Sequence, residues 1–297
     1  MNQQAWNAEV ELNQYGYYQL VNPPTAQELN AYYAGTYYQQ QRSLYEQKYD
    51  EAELRFLHQK IRQKERILEQ AGITGEHRRL LDVGCGEGFT LRYFSRKNWR
   101  VTGLDMSDYG CETHNPECLP DLIIGDLYGG LDSLAGEHRK FDVVWLDNIL
   151  EHVLDPLDLV RRCQSLLTED GAVVVEVPND FSAIQLAALD KNLIENAYWL
   201  VRPDHISYFN RDGLTNLASH AGLTPFRIVA DFPIDFALFN QQTNYVSNPQ
   251  LGSAVHSARV AVEDLMHSQS VDQTNDLYEA MATMGLGRQI VAFFENE

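Results

Sequence analysis

Basic residues are scarce: 23 Lys+Arg stand against 42 Asp+Glu in 297 residues, a formal net charge of −19. Phosphate backbones need cationic counter-charge, so this balance argues against a general DNA or RNA binder. It argues equally against docking on an anionic membrane surface. Long apolar runs are missing too; stretches such as Ala172–Val175 fall far short of the ~20 residues that span a bilayer. The opening Met1-Asn2-Gln3-Gln4-Ala5-Trp6-Asn7 lacks a basic end followed by an apolar stretch, so no signal peptide is expected. Only four cysteines occur (Cys85, Cys111, Cys118 and Cys163), and a reduced, cytoplasmic protein is the expectation. Cys111, His114 and Cys118 lack a paired Cys-x-x-Cys spacing, so no metal is assigned. What remains, 44% hydrophobic and 22% charged residues, is the composition of an ordinary globular chain.

Residues 1–45 are rich in Tyr, Gln and Asn, with Tyr15, Tyr17, Tyr18, Tyr32, Tyr33, Tyr37 and Tyr38 before Tyr45, and Pro23-Pro24 divides them. They read as short helices and loops with aromatic anchors, either packed on the core or closing over a site as a lid. Residues 47–71 read as an amphipathic helix with Leu54, Leu57, Ile61 and Leu68 on one face and Gly72 as its stop. Thereafter strand-like and helical segments alternate. Strands are expected at Leu80–Val83, Val101–Leu104, Leu122–Ile124, Phe141–Leu146, Gly171–Val177, Phe226–Val229 and Gln289–Phe294. Helices are expected at Gly88–Lys97, Leu157–Leu167 and 211–221, the last capped by Asn210. This alternation predicts an α/β fold: a doubly wound, seven-stranded, mostly parallel sheet with helices on both faces. The core runs over 72–240 and 287–297, with an N-terminal arm and helix at 1–71 and a helical insertion or cap at 241–286.

The densest signal is Leu80-Leu81-Asp82-Val83-Gly84-Cys85-Gly86-Glu87-Gly88-Phe89. A strand runs into glycines at alternate positions and then a helix, so the backbone can turn sharply and a ligand can approach it. Dinucleotide-binding turns use Gly-x-Gly-x-x-Gly around a pyrophosphate. Here the third glycine comes one residue early and the turn holds no basic residue, which disfavours a nicotinamide-dependent dehydrogenase. A ligand without phosphate fits better.

This stretch resembles the first motif of class I, Rossmann-like S-adenosylmethionine-dependent methyltransferases, in particular their ubiquinone-biosynthesis-like small-molecule branch. Further segments follow in the family's order: Asp105, 17 residues after Gly88; Gly125-Asp126-Leu127; Phe141–Asp147; Asn148-Ile149-Leu150-Glu151-His152-Val153 with Asp155-Pro156; Gly171–Val177 with Pro178-Asn179; and Arg202-Pro203-Asp204-His205-Ile206-Ser207-Tyr208-Phe209. The resemblance covers about 80–230 and the final strand, and is weak over 1–70 and 241–286. It implies S-adenosyl-L-methionine as cofactor, with Asp82, Gly84, Cys85, Gly86, Gly88, Asp105, Met106, Asp126, Leu127 and Asp147 around it. Asp105 would bind the ribose hydroxyls, Asp126 the adenine amino group, and Leu127 would pack on the ring.

A general base is needed only if the acceptor must lose a proton. His152 and His205 are the candidates, since imidazole titrates near neutrality. His152 lies four residues after Asn148, which would place both on one face of a helix. Arg202, Tyr208, Asn179 and Tyr37 are the candidate acceptor contacts, and Arg202 and Arg211 could take a small anion. The acceptor is expected to be a small molecule: a sugar or nucleotide sugar, a quinone-like ring or a carboxylate, with the resemblance leaning towards sugars. Sugar C-methyltransferases with an N-terminal cysteine-rich zinc region are disfavoured, because no cysteine precedes Cys85. The alternative is a non-catalytic S-adenosylmethionine-binding sensor or partner subunit, which would need no acceptor pocket. Charge is unevenly placed: residues 101–160 hold 13 Asp+Glu and 2 Lys+Arg, while 78–100 hold 6 Lys+Arg and 2 acids. This reads as an acidic wall suited to a cationic cofactor.

Overall fold

The computed structural model describes residues 8–32 and 48–297. Tyr37, and much of the lid considered for 1–45, lie outside them. The arm opens with two strands, β1 (Val10–Leu12) and β2 (Tyr18–Leu20), and then a short helix α1 (Ala26–Tyr32). These strands were not expected. At three residues each they are too short to show an alternating pattern, and the turn between them carries the information instead. Asn13 Oδ1 accepts from the amides of Tyr15 and Gly16 at 2.9 and 3.1 Å, and Gly16 takes φ +93°.

Helix α2 (Glu51–Gln70) is capped by Asp50, whose side chain accepts from the Glu53 amide. The chain then alternates through β3 (Arg79–Val83), α3 (Phe89–Ser95), β4 (Arg100–Asp105), α4 (Tyr109–His114), β5 (Leu122–Ile124), α5 (Leu127–Gly136), β6 (Phe141–Asp147), α6 (Pro156–Ser165) and β7 (Leu167–Pro178). Next come α7 (Ala183–Asp190), β8 (Ser207–Tyr208), α8 (Arg211–His220), β9 (Leu223–Ala230), α9 (Gly252–Gln269), α10 (Val271–Thr283) and β10 (Gln289–Asn296). Asn210 caps α8 as expected, accepting from the Gly213 amide at 2.8 Å.

The main sheet has the order β5-β4-β3-β6-β7-β10-β9. Strands β3 to β7 are parallel, and β10 runs antiparallel to both β7 and β9. The strand order reverses beside β3, so the crevice beyond the carboxyl ends of β3 and β6 is where ligands bind in such sheets. Alternate strand residues feed two cores. Leu81, Val83, Val144, Leu146, Val173 and Val175 pack under α5, α6 and α8. Leu80, Val143, Trp145, Val174 and Phe293 face α2, α3 and α10. A sheet buried on both faces explains the near-continuous apolar runs of its strands.

A second sheet, β1-β2-β8, pairs Tyr18 with Tyr208 and Gln19 with Ser207. It fastens the arm to the segment carrying His205. No described helix is long and apolar enough to cross a membrane.

The arm also packs against α8 at Gly213, where an added Cβ would lie 2.7 Å from Tyr17 Cβ and 2.8 Å from Tyr17 N. Gly213→Ala should therefore loosen the 10–20 hairpin even though alanine favours helix. Hydrogen exchange should show faster exchange over β1 and β2, with β7 unaffected. Unchanged hairpin protection would contradict this packing.

Candidate functional site

The glycine-rich turn is built for close approach. Gly84, Gly86 and Gly88 have φ of 76°, 50° and 75°, the left-handed region that costs other residues strain. A Cβ on Gly84 would sit 2.1 Å from Ile149 Cδ1, so a side chain there would also require Ile149 to move. Asp105, at the end of β4, clamps the turn: Oδ2 accepts from the Gly86 amide at 2.8 Å and Oδ1 from Ser107 at 3.0 Å. Burial raises the Asp105 pKa, opposed by these amide donors. Met106 beside it is 44% exposed. Asp126 caps α5, accepting from the Gly129 amide at 2.6 Å, and Leu127 begins that helix.

A cavity of about 240 Å³ opens between this turn and α2. Its walls include Asp82, Gly84, Cys85 and Gly88 on one side, Lys60 and Lys64 on the other, and Asp147 and Asn148 at the end of β6. Burial pushes the Cys85 thiol far above its ordinary range, as do Asp82 and Asp105, so it is no nucleophile. Asp82 is likewise raised by burial and by the neighbouring Asp147 and Asp105.

Lys64 is the group that sequence reasoning missed. Its side chain is 4% exposed, its ammonium lies 2.7 Å from Asp147 Oδ2, and it also pairs with Glu176. It sits 4.9 Å over the Trp145 ring. Burial lowers its pKa, but the two carboxylates outweigh this and keep it charged. Burial and Glu176 push Asp147 up to about 6, against the pull of Lys64. Burial also raises Glu176, but Lys64 and Lys60 outweigh it and hold that carboxyl low. Asp147 Oδ1 is buried with no hydrogen-bond partner.

Beyond β6, Asn148 takes φ 55° and its amide donates to Glu176 O at 2.9 Å. The chain then makes a single 3₁₀ turn, Leu150–His152, rather than the expected helix. Asn148 and His152 therefore share no helical face; the left-handed asparagine breaks the run.

The turn instead gathers Glu151 and His152 against His205. His152 Nδ1 lies 2.9 Å from Asp204 O, and His152 Nε2 lies 3.8 Å from Glu151 Oε1. The His152 and His205 rings meet edge-on at 4.9 Å. The Ile206 amide donates to Glu151 O at 2.7 Å, which locks the two segments together.

Burial would lower His152, but Asp204 and Glu151 raise it to about 9. Burial, then the charge on His152, lowers His205 to about 4. Burial raises Glu151 to about 7 despite His152. Glu151 Oε2 and His205 Nδ1 are buried without hydrogen-bond partners. Glu151, His152 and His205 each offer one ligand atom, all within 4.8 Å of one another, a donor set that could hold a metal ion.

The expected acceptor contacts are more scattered. Tyr208 is buried and its hydroxyl donates to His205 O at 2.9 Å. Asn179 Nδ2 donates to Gly287 O at 3.1 Å. Arg202 is half exposed and pairs with Glu9 at 2.7 Å, while Arg211 pairs with Asp212. Cys111 and Cys118 are buried free thiols.

A methyltransferase-domain profile matches residues 53–227, more than half of the chain. The chain belongs to this family. It is similar to ubiquinone biosynthesis O-methyltransferases from Coxiella burnetii (strain Dugway 5J108-111), 26% identical over 159 residues, and Vibrio cholerae serotype O1, 30% over 169. Each match covers 53% of this chain, and respectively 67% and 65% of the relative, so the chain spans about two thirds of the relatives' length. Among solved structures, a Burkholderia thailandensis 1,6-didemethyltoxoflavin N1-methyltransferase with S-adenosylhomocysteine superposes at TM-score 0.52. That match has 16% identity and covers 97% of this chain and 99% of the other.

The methyltransferase uses S-adenosyl-L-methionine. Its residues suit that group: a cavity of about 240 Å³ adjoins the glycine turn, and Asp147 at its wall has a buried carboxylate oxygen without a hydrogen-bond partner.

Lys64→Met should cost about 3–5 kcal/mol of stability at pH 8, because two carboxylates lose their buried cation. The loss should shrink at pH 5. In the variant both acids have raised pKa values, and their protonated, neutral forms are tolerated. Urea unfolding at the two pH values checks this; an equal loss at both would refute it.

Proposed function

We propose that this methyltransferase transfers a methyl group to a hydroxyl oxygen of a small molecule, with Glu151 accepting the hydroxyl proton. The observation that carries the reading is the buried Glu151 oxygen without a partner, on a carboxyl raised to about 7. A base titrating near the working pH is the efficient one. His205, lowered to about 4, is neutral but too weak a base, and His152, raised to about 9, already holds its proton. Of the sequence candidates, His152 then acts as the cation that steadies ionised Glu151, and His205 as a neutral hydrogen-bonding wall.

S-adenosylmethionine, when bound, supplies an electrophilic methyl on a sulfonium that leaves as a neutral thioether. That methyl would be the group an acceptor oxygen takes from the sulfonium, and Glu151 would receive the hydroxyl proton. The chain's main contribution is alignment: the glycine turn with Asp105 fixes one reactant and the 204–208 segment the other. The matched relatives are named for ubiquinone biosynthesis and O-methylation, which favours a ring hydroxyl over the sugar or nucleotide sugar suggested by resemblance. A non-catalytic binder would have no use for a buried proton acceptor.

Glu151→Gln should lower kcat by about 10²- to 10⁴-fold. S-adenosylhomocysteine affinity by calorimetry should hardly change. In the wild type, kcat/KM should rise with pH to a plateau above about 7, as Glu151 loses its proton beside His152, Asp180 and Asp147. A kcat unchanged by the substitution would remove Glu151 from proton transfer.

The convergence of Glu151, His152 and His205 favours a second reading, in which a divalent cation binds there and polarises the hydroxyl. Under the base reading, activity survives exhaustive chelation. Loss on chelation with recovery on adding a divalent ion would establish the metal reading instead.

A further inference from the structure

We infer that the acceptor is a hydroxylated amine, and that Asp180 binds its ammonium group. The inference rests on the proton-accepting site proposed at Glu151 and names the class of acceptor that fits beside it. Asp180 lies two residues beyond the end of β7, and its amide donates to Phe209 O at 2.9 Å. Glu151 O accepts from the Ile206 amide, so both acids are tied to the 204–209 segment. They also act on each other, since the charge of Asp180 is one of those that raise Glu151.

Both residues are 1% exposed, and each keeps one buried carboxyl oxygen without a hydrogen-bond partner, Oε2 on Glu151 and Oδ2 on Asp180. Asp180 Oδ1 receives only a long bond from Arg288 Nη1, at 3.3 Å. A buried acceptor left unpaired is costly, so the place beside Asp180 lacks a donor. Burial raises Asp180 to about 6 against the pull of Arg288, which leaves it ionised at neutral pH. The charges nearby do not balance. Glu151, Asp180, Asp204 and Asp235 are four acids, and His152 and Arg288 are the two cations that pair with them. Asp204 faces His152 at 3.3 Å, Asp235 accepts from the Tyr245 hydroxyl, and Arg288 is shared between Asp180 and Asp235. An anionic acceptor would add to this excess, and a neutral one would leave it. An ammonium group brings the missing donor and the missing charge together, and charge-assisted bonds of this kind are the strong ones.

A purely structural Asp180 would serve only as counter-charge to Arg288, and the experiment separates the two roles. Methyl transfer from labelled S-adenosylmethionine by the full chain is measured at pH 8 on three phenols of similar shape. Tyramine, 4-ethylphenol and 4-hydroxyphenylacetate carry a cationic, a neutral and an anionic side chain. For the wild type, kcat/KM should fall in that order, by about 10- to 100-fold from tyramine to 4-ethylphenol, the worth of one charged hydrogen bond. Asp180→Asn, which keeps the shape, should remove this preference by raising KM for tyramine while 4-ethylphenol is unaffected. Asp180→Glu should restore part of it. S-adenosylhomocysteine affinity, unchanged in both variants, reports that they are folded. Equal losses for tyramine and 4-ethylphenol in Asp180→Asn would reduce Asp180 to a counter-charge and overturn the inference. Wild-type turnover of 4-ethylphenol without a preference for tyramine would also overturn it, while leaving Glu151 as proton acceptor. Transfer to none of the three phenols would overturn the ring-hydroxyl reading itself, and this inference with it.

Discussion

The site depends on one buried group of charges, Lys64 between Asp147 and Glu176. Asp147 ends β6 and Glu176 lies near the end of β7, so a single ammonium from α2 bridges the carboxyl ends of two neighbouring strands. Such a group gains little net stability, because Lys64 and Glu176 lose nearly all of their hydration and Asp147 much of it. It does fix where α2 sits: a shift by one residue would leave two carboxylates unpaired. The cavity beside the glycine turn exists because α2 is held there.

The opposite side of α2 carries the same logic outward. Arg66 pairs with Asp272 at 2.6 Å, and the Asn275 side-chain amide donates to Gln63 O at 3.2 Å. Arg259 joins Asp231 and Glu263 next to Lys60. The insertion helices α9 and α10 are thereby fastened to the N-terminal helix, with Tyr278 filling the core between them. Two segments far apart in sequence are thus packed together, and α2 supplies one wall of the cavity beside the glycine turn.

The acid excess acquires a different meaning in three dimensions. Asp142 is held by Arg78 and Arg79, and Glu117 by Arg92 and Arg96. Asp126 and Asp155 cap helices. The basic stretch 78–100 and the acidic stretch 101–160 therefore neutralise one another in part, and the acids around the glycine turn are Asp82, Glu87 and Asp147 on the cavity walls and Asp105 on the turn itself. The strands and glycine turn were legible because sheet burial and left-handed backbone leave strong local marks. Lys64 was not, because a lysine among Arg, Gln and Glu on an amphipathic helix reads as its wet face. Nor were β1 and β2, whose three residues apiece acquire meaning only through pairing with Ser207 and Tyr208. The helix expected after β6 failed on one residue, Asn148, whose left-handed conformation nothing in the local pattern announces.

That failure is informative about the chemistry. A regular helix after β6 would have put Asn148 and His152 on one face and Glu151 about 100° away from His152. The left-handed Asn148 and the bond from the Ile206 amide to Glu151 O instead bring Glu151 and His152 against His205. Proximity divides the three groups: a cation at His152, a neutral ring at His205 and a carboxyl poised near 7 at Glu151. Leaving a buried oxygen unpartnered costs about 1–3 kcal/mol. A fold that needed only to bind a cofactor at the glycine turn would gain by replacing Glu151 with an apolar residue. Sites that break a local rule without a structural return are where function is to be sought, and Glu151 lies just beyond the end of β6.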